Sequence, residues 1–370
     1  MAPAQWTDSD HRFMREALAL AHAGIGLVSP NPAVGAVLVK DGKVVGRGTH
    51  VYEGRKHAEV LAIEDAGSEA RGSTLYLNLE PCSHFGRTGP CADAVVTAGI
   101  SRVVCAMEDP NPAVAGQGFV RLRAAGVQVE VGLYQDEAQR LNDWFAKFVR
   151  TGIPFVTLKA GMSLDAKIAP APDSNGSPWI TSEAARQHAQ QLRHAADAIV
   201  VGIGTVLADD PSLTDRTGLP RRRSLLRIVL DSHLRTPLTS KLVQSANHDL
   251  LICCSPDAAA HSMEHLTSAG AEVIAAPCDW HVLLRLLAER NITSVLIEGG
   301  AKVFASALNA SVVDKLALYL APKLLGGEAL SAFGSTTTSV PQLRRFRAQR
   351  IEDDVLLTGY IRDPYDQIPN

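Results

Sequence analysis

Apolar residues recur at helical spacing through Phe13, Ala17, Leu20 and Ala21, which predicts a helix, and Thr7 with Asp10 three residues on is its capping pair. Two short apolar runs follow, 33–39 and 43–48, joined by Asp41-Gly42. Asp-Gly closes tight hairpins because both residues tolerate positive φ. A helical stretch opens at His57, with Val60, Leu61 and Ile63 able to face inward. The run 73–79 is a buried strand that ends at Glu80-Pro81-Cys82. A helix starts near Cys91, a strand covers 102–107, and another helix–strand pair reaches residue 133. Helix and strand alternate as in an α/β domain. His57 and Cys82 fall at element ends, so the sheet gathers them at one end, where open α/β folds place their sites.

Near 145–153 the pattern restarts. Phe148 to Pro154 reads as a boundary, and 154–163 as a fresh strand. A helix over 181–197 leads into the apolar run 198–206; strands are expected at 225–231, 249–254 and 271–276, and 294–300 opens into a helix over 301–309. The pattern therefore predicts two α/β domains, 1–150 and 151–370, with no internal repeat.

Hydrophobic residues make up 46% of the 370-residue chain, enough for two cores, and the net charge of −3 leaves no footprint of nucleic-acid binding. The basic run Arg221-Arg222-Arg223 reads first as a solvated loop and second as a phosphate contact. The N-terminus has no signal-peptide pattern, and no stretch reaches the roughly 18 apolar residues of a membrane helix. Six cysteines in a chain of this length do not form a disulfide framework; Cys105, Cys253, Cys254 and Cys278 read as buried small residues. The expected location is cytoplasmic.

Cys82 and Cys91 read differently. With His57 they supply one imidazole and two thiolates, a set suited to a tetrahedral zinc that keeps its fourth position for water. His57-Ala58-Glu59 followed by Pro81-Cys82 is the pattern of zinc deaminases, in which the Glu is general acid/base and not a ligand. Zinc lowers the pKa of bound water toward about 7, and Glu59 can take that proton and deliver it to a ring nitrogen and a departing amine. Deaminases acting on nucleic acids and nucleosides have two residues between their cysteines, whereas Ser83 to Pro90 intervene here. The intervening Gly86-Arg87-Thr88-Gly89 is either a cationic turn toward an anionic substrate or a solvated loop, and His84 reads as a supporting residue. In the second half, Glu298-Gly299-Gly300 ends a strand and opens a helix, a place where backbone amides meet phosphate.

These residues resemble the bifunctional deaminase–reductase family of riboflavin biosynthesis, over nearly the whole chain. The resemblance rests on Ser29 to Gly35, His50, 57–59 and the run 80–91, then on 163–169, 177–182, 205–216 and 297–304. It implies a cytidine-deaminase-like α/β/α domain and a dihydrofolate-reductase-like α/β domain. The first would deaminate a phosphoribosylated diaminopyrimidine with zinc; the second would reduce the ribosyl group with NADPH. By resemblance Asn31 and His50 contact the pyrimidine. Ser177, Arg193, Leu213, Arg216 and Glu298 match positions that hold the phosphoribosyl substrate; Lys159 and Asp209 read, apart from the resemblance, as polar participants near the ribose. Gly161, Trp179, Thr205, Asp209, Ser232 and the stretch Gly300, Ala301, Lys302, Val303, Phe304 meet the cofactor. The resemblance also implies a homo-oligomer with a small-molecule substrate and no nucleic-acid or membrane partner. Two departures stand out: Ala166 where the family carries Gly, which would strain a positive φ by roughly 1 kcal/mol, and Gly89 where a second Pro is common. The competing readings are a second domain that binds without reducing, an RNA-acting deaminase, and a structural zinc protein.

Overall fold

A computed structural model of the protein describes residues 6–54, 56–83, 89–171, 179–276, 279–333 and 342–366. It divides into two compact units, Met1–Gly152 and Ile153–Asn370.

The first unit runs α1 (Asp8–Ala23), β1 (Gly35–Lys40), β2 (Lys43–Thr49), α2 (Ala58–Ala66), β3 (Thr74–Leu77), α3 (Cys91–Thr97), β4 (Arg102–Cys105), α4 (Gln117–Ala124), β5 (Gln128–Val131), α5 (Gln135–Leu141) and α6 (Asp143–Thr151). The Thr7 hydroxyl accepts from the Asp10 amide at 3.1 Å while the Asp10 carboxylate accepts from the Thr7 amide at 2.9 Å, so the predicted capping pair is formed. Asp41 at φ 50° and Gly42 at φ 74° turn the predicted hairpin. Among the described residues the sheet has five strands in the order β2-β1-β3-β4-β5, antiparallel from β2 to β3 and parallel from β3 to β5. Asp10 is buried against this sheet and accepts from Tyr76 Oη at 2.8 Å and Arg102 Nη1 at 2.7 Å, which ties α1 to β3 and β4.

The inward face of α2 differs from the expectation. Ala58, Glu59, Ala62 and Ala66 are buried, while Val60, Leu61 and Ile63 are half-buried. The reason lies in β2, where a Cβ on Gly46 would stand 2.2 Å from Ala62 O and one on Gly48 1.9 Å from Ala58 O. Only small residues on both elements allow this approach, so the alanine stripe faces the strand and the larger residues turn aside.

The second unit runs β6 (Phe155–Ser163), β7 (Lys167–Ala169), α7 (Glu183–Ala195), β8 (Ala198–Gly202), α8 (Ile203–Asp209), β9 (Leu226–Leu230), α9 (Lys241–Gln244), β10 (Leu250–Cys254), α10 (Ala260–Ser268), β11 (Glu272–Ala275), α11 (Trp280–Glu289), β12 (Ser294–Ile297), α12 (Ala301–Asn309), β13 (Lys315–Ala321), β14 (Leu330–Ser331), β15 (Arg344–Ile351) and β16 (Asp354–Tyr360). Among the described residues nine of its strands form one sheet in the order β11-β10-β9-β8-β12-β6-β13-β16-β15, parallel from β11 to β13 and antiparallel beyond. Successive residues of β8 enter opposite cores, Ala198 and Val200 one, Ile199 and Val201 the other. A sheet covered on both faces gives the continuous apolar runs seen in the sequence. The run 198–206 is not one element: it divides at Gly202 into β8 and α8. Two of the three arginines of the basic run Arg221–Arg223 are engaged by the chain itself and are not a solvated loop. Arg221 donates to the carbonyls of Arg193, His194 and Ala196 at 3.0, 2.7 and 2.7 Å and so caps the end of α7, and Arg223 pairs with Asp197 at 3.0 Å.

Candidate active sites

The seam between β2 and α2 fixes the first site. His57 is the N-cap of α2, extended at φ −77° and ψ 159°, and Glu59 lies in the first turn. Pro81-Cys82 follow the end of β3, and Cys91 opens α3 after Pro90. The ligand atoms of His57, Cys82 and Cys91 all lie within 4.8 Å of one another. His57 Nδ1 faces both thiols, 3.1 Å from Cys91 Sγ and 3.5 Å from Cys82 Sγ, and the Cys91 amide donates to Cys82 Sγ at 3.2 Å. Hydrogen bonds from Cys91 and His57 lower the pKa of the Cys82 thiol, which favours the thiolate. One imidazole and two sulfurs fit a tetrahedral metal with one position to spare. Glu59 is 3% exposed, and its Oε2 has no hydrogen-bond partner among the described residues. Burial pushes its carboxyl up to about 7. An unpartnered buried carboxylate oxygen at this donor set fits a residue that handles protons better than a purely structural metal site.

Asn31 and His50 meet at the same site. Asn31 Nδ2 lies 3.0 Å from His50 Nε2, and the His50 and His57 rings are 5.4 Å apart, edge to face. His50 Nδ1 donates to the Lys56 carbonyl at 2.9 Å, so Nε2 accepts from the Asn31 amide and the ring is neutral. Burial lowers the His50 pKa, in agreement with that tautomer. The segment that carries Asn31 is held by two fully buried asparagines that the sequence did not single out. Asn78 takes the Gly35 amide at 2.8 Å and gives to Ala33 O at 2.9 Å; Asn142 takes the Ala33 amide at 2.8 Å. Asn78 interrupts an otherwise apolar strand run, the one signal that could have marked it. Glu80 was likewise missed. His84 and Gly86-Arg87-Thr88 lie outside the described residues, as do Ser177 and Cys278.

In the second unit five of the expected residues lie at the carboxyl ends of β9, β8, β12 and β6, neighbours in the sheet. Ser232 follows β9, Thr205 lies in α8 just after β8, Glu298 and Gly300 follow β12, and Gly161 lies in β6. Gly299 and Gly300 close over Thr205, whose Oγ1 would be 3.0 and 3.4 Å from a Cβ at each. Gly300, at φ 67°, is the N-cap of α12. The Val303 and Phe304 amides donate to Gly300 O at 3.0 and 3.1 Å, and both side chains are in the core, so neither can offer more than its backbone. Asp209 is exposed at the end of α8, and Trp179 is 59% exposed with the Arg186 guanidinium 4.8 Å over its ring.

Glu298 is the centre of an ion network. Arg193 forks onto its two oxygens through Nε at 2.7 Å and Nη2 at 2.9 Å, and Lys159 Nζ is 3.4 Å from Oε2. Burial alone would raise the Glu298 pKa; the charge of Lys159 and the hydrogen bonds of Arg193 bring it down to about 2. Arg193 Nη1 also donates to Thr214 O at 3.1 Å. Leu213 is buried at φ 51°, and the side chain of Arg216 is exposed. Cys105, Cys253 and Cys254 are buried, as expected. Among the described residues no helix is long and apolar enough to cross a membrane.

Residues 7–107 match the cytidine and deoxycytidylate deaminase zinc-binding region, and 154–357 match the RibD C-terminal domain. The riboflavin biosynthesis protein RibD of Bacillus amyloliquefaciens is 43% identical over 363 residues, which cover 96% of this chain and 97% of that protein. The solved structure of Acinetobacter baumannii RibD is 36% identical with a TM-score of 0.79, covering 95% of this chain and 98% of its own. A Thermotoga maritima diaminohydroxyphosphoribosylaminopyrimidine deaminase/5-amino-6-(5-phosphoribosylamino)uracil reductase is 35% identical at a TM-score of 0.81, with the same coverage.

Proposed function

The chain belongs to the RibD family of riboflavin-biosynthesis enzymes and is a bifunctional deaminase and reductase, and on that premise we propose its substrate and the residues that act. The first unit hydrolyses the 2-amino group of 2,5-diamino-6-(5-phosphoribosylamino)pyrimidin-4(3H)-one. The second then reduces the ribosyl group of the product to ribityl with NADPH.

His57, Cys82 and Cys91 would hold zinc, which supplies a Lewis acid and acidifies water at neutral pH. Glu59 takes the proton of the attacking water, passes it to the ring nitrogen, and delivers a second to the amine, which leaves as ammonia. Glu59 is buried with one carboxylate oxygen unpartnered among the described residues, which supports that role. Asn31 and His50 grip the polar edge of the pyrimidine, with His50 fixed as an acceptor by its bond to Lys56 O.

In the second unit NADPH carries the hydride, and the protein supplies orientation and charge. Trp179, Thr205, Asp209, Ser232, Gly161 and the turn from Gly300 through Phe304 hold the cofactor. Arg216, Leu213 and Ser177 hold the phosphoribosyl group. Glu298 orients Arg193 and Lys159 about the ribose, and Lys159 gives a proton to the ring oxygen as the sugar opens. A second unit that binds without reducing has no observation in its favour.

The observation that carries the deaminase reading is the orphaned Glu59 Oε2 beside three ligand atoms. The test is incubation with the diaminopyrimidine phosphate, with and without NADPH, each product resolved by mass. Wild type should lose one amine without NADPH and gain two hydrogens only with it. Glu59→Gln should slow ammonia release by about 10²–10⁴ while still reducing pre-deaminated substrate; equal loss of both activities in a folded, zinc-loaded variant would refute the two-site reading.

A further inference from the structure

Glu80 lies two residues before Cys82, is 5% exposed, and accepts hydrogen bonds from four backbone amides. Oε1 takes those of Gly118 at 2.7 Å and Phe119 at 3.3 Å; Oε2 takes those of Asp109 at 3.0 Å and Gly116 at 2.9 Å. We propose that Glu80 is a positioning residue of the deaminase site: it locks α4 onto the end of β3 and so fixes where Cys82 stands. This rests on the zinc reading above.

Three observations converge. Gly118 and Phe119 are in the first turn of α4, where amides lack partners within the helix and its dipole favours an anion. The approach is possible only because Gly118 has no side chain, since a Cβ there would lie 2.1 Å from Pro81 O. Further along the same helix, Arg121 donates through Nη1 to Ser83 O at 3.3 Å and through Nη2 to Asp93 at 2.7 Å. Asp93 is in the first turn of α3, the helix that Cys91 opens. One helix thus holds the chain on both sides of Cys82 and also the helix bearing Cys91.

Eight residues, Ser83 to Pro90, separate the cysteines in the sequence. Among the described residues the two cysteine segments meet through the Cys91 amide on Cys82 Sγ at 3.2 Å and the Ala92 amide on Cys82 O at 3.1 Å, and α4 adds its hold on both from one side. The chemistry also requires a carboxylate. Four donors need two oxygens, and an amide in place of Glu80 would turn its own N–H groups toward backbone N–H groups. The Arg121–Asp93 pair is exposed, 43% and 40%, and such pairs contribute little, so Glu80 carries most of the effect.

The test titrates the full-length, zinc-loaded chain against a chelator of known affinity, as wild type, Glu80→Gln and Glu80→Asp. Glu80→Gln should bind zinc about 10- to 100-fold more weakly, with a lower kcat for ammonia release, little change in KM, and unchanged reduction of deaminated substrate. Melting of the zinc-free chain separates positioning from folding: if Glu80→Gln lowers that melting point yet binds zinc as wild type does, the inference is overturned. Should Glu80→Gln leave the first unit unfolded, Glu80→Asp decides: it keeps the charge but draws the carboxylate back from the four amides, so zinc binding about tenfold weaker is expected, and binding as in wild type would overturn the inference. A wild-type chain that takes up no zinc would overturn the metal reading itself.

Discussion

Ala166 stands at φ 57°, in the left-handed region that side chains with a Cβ avoid, inside a turn whose two ends are tied. Its amide donates to Ser163 O at 3.0 Å, and its carbonyl accepts from the Ala332 amide at 2.9 Å. Beside it the Asp165 carboxylate accepts the Ser163 hydroxyl and the Leu325 and Gly326 amides, so the turn cannot relax toward negative φ without losing these bonds. The family's glycine would sit there without strain. Ala166→Gly should therefore stabilise the second unit, by about 0.5–1 kcal/mol once the greater freedom of glycine in the unfolded chain is deducted. The measurement is the urea midpoint at unchanged m-value; a lower midpoint would show that the turn carries no strain.

The elements that place the first site show what a sequence conceals. The hairpin, the helix after His57 and the helix at Cys91 were legible, because Asp-Gly, Pro-Cys and apolar period each act locally. The inward face of α2 was not legible, since it is set by Gly46 and Gly48 on a different element and not by the largest apolar residues of the helix itself. The grip on Glu80 joins residues 80 and 109–119, too distant for any periodicity to reveal. Likewise β13, β15 and β16 went unpredicted: β15 carries Arg344, Arg345, Arg347 and Arg350 on a largely exposed edge, with no apolar alternation to mark it. Gly48 gives the direct test of the seam. Gly48→Ala puts a methyl on the Ala58 carbonyl, 1.9 Å away, and must push the start of α2 outward. The first unit should lose about 1–3 kcal/mol, as overpacked contacts do, and ammonia release should fall while NADPH oxidation with deaminated substrate persists. Undiminished ammonia release would mean that the seam does not position His57 and Glu59.

Across the molecule, each unit holds a buried carboxylate whose pairing acid would undo. Arg102 holds Asp10 well below the usual carboxylate range in spite of burial, and Lys159 with Arg193 holds Glu298 at about 2 against an ordinary 4.5. Both folded values lie below the unfolded ones. Their contribution is therefore complete above about pH 4.5 and is lost as pH falls through the folded values. Hydrogen exchange followed peptide by peptide between pH 5 and 2 should show both units losing protection. Glu298→Gln should flatten that loss in 153–370 and leave 1–152 as in wild type; an unaltered acid response in 153–370 would exclude Glu298 as its source. The strand order of the second unit has a consequence for the order of synthesis. Every strand of the first sheet has been made once the ribosome passes Val131. In the second unit β6 is made first, yet its partners are β12 at 294–297 and β13 at 315–321. A growing chain can assemble its deaminase sheet early, while the strand that founds the reductase waits, both edges unpaired, for more than a hundred further residues.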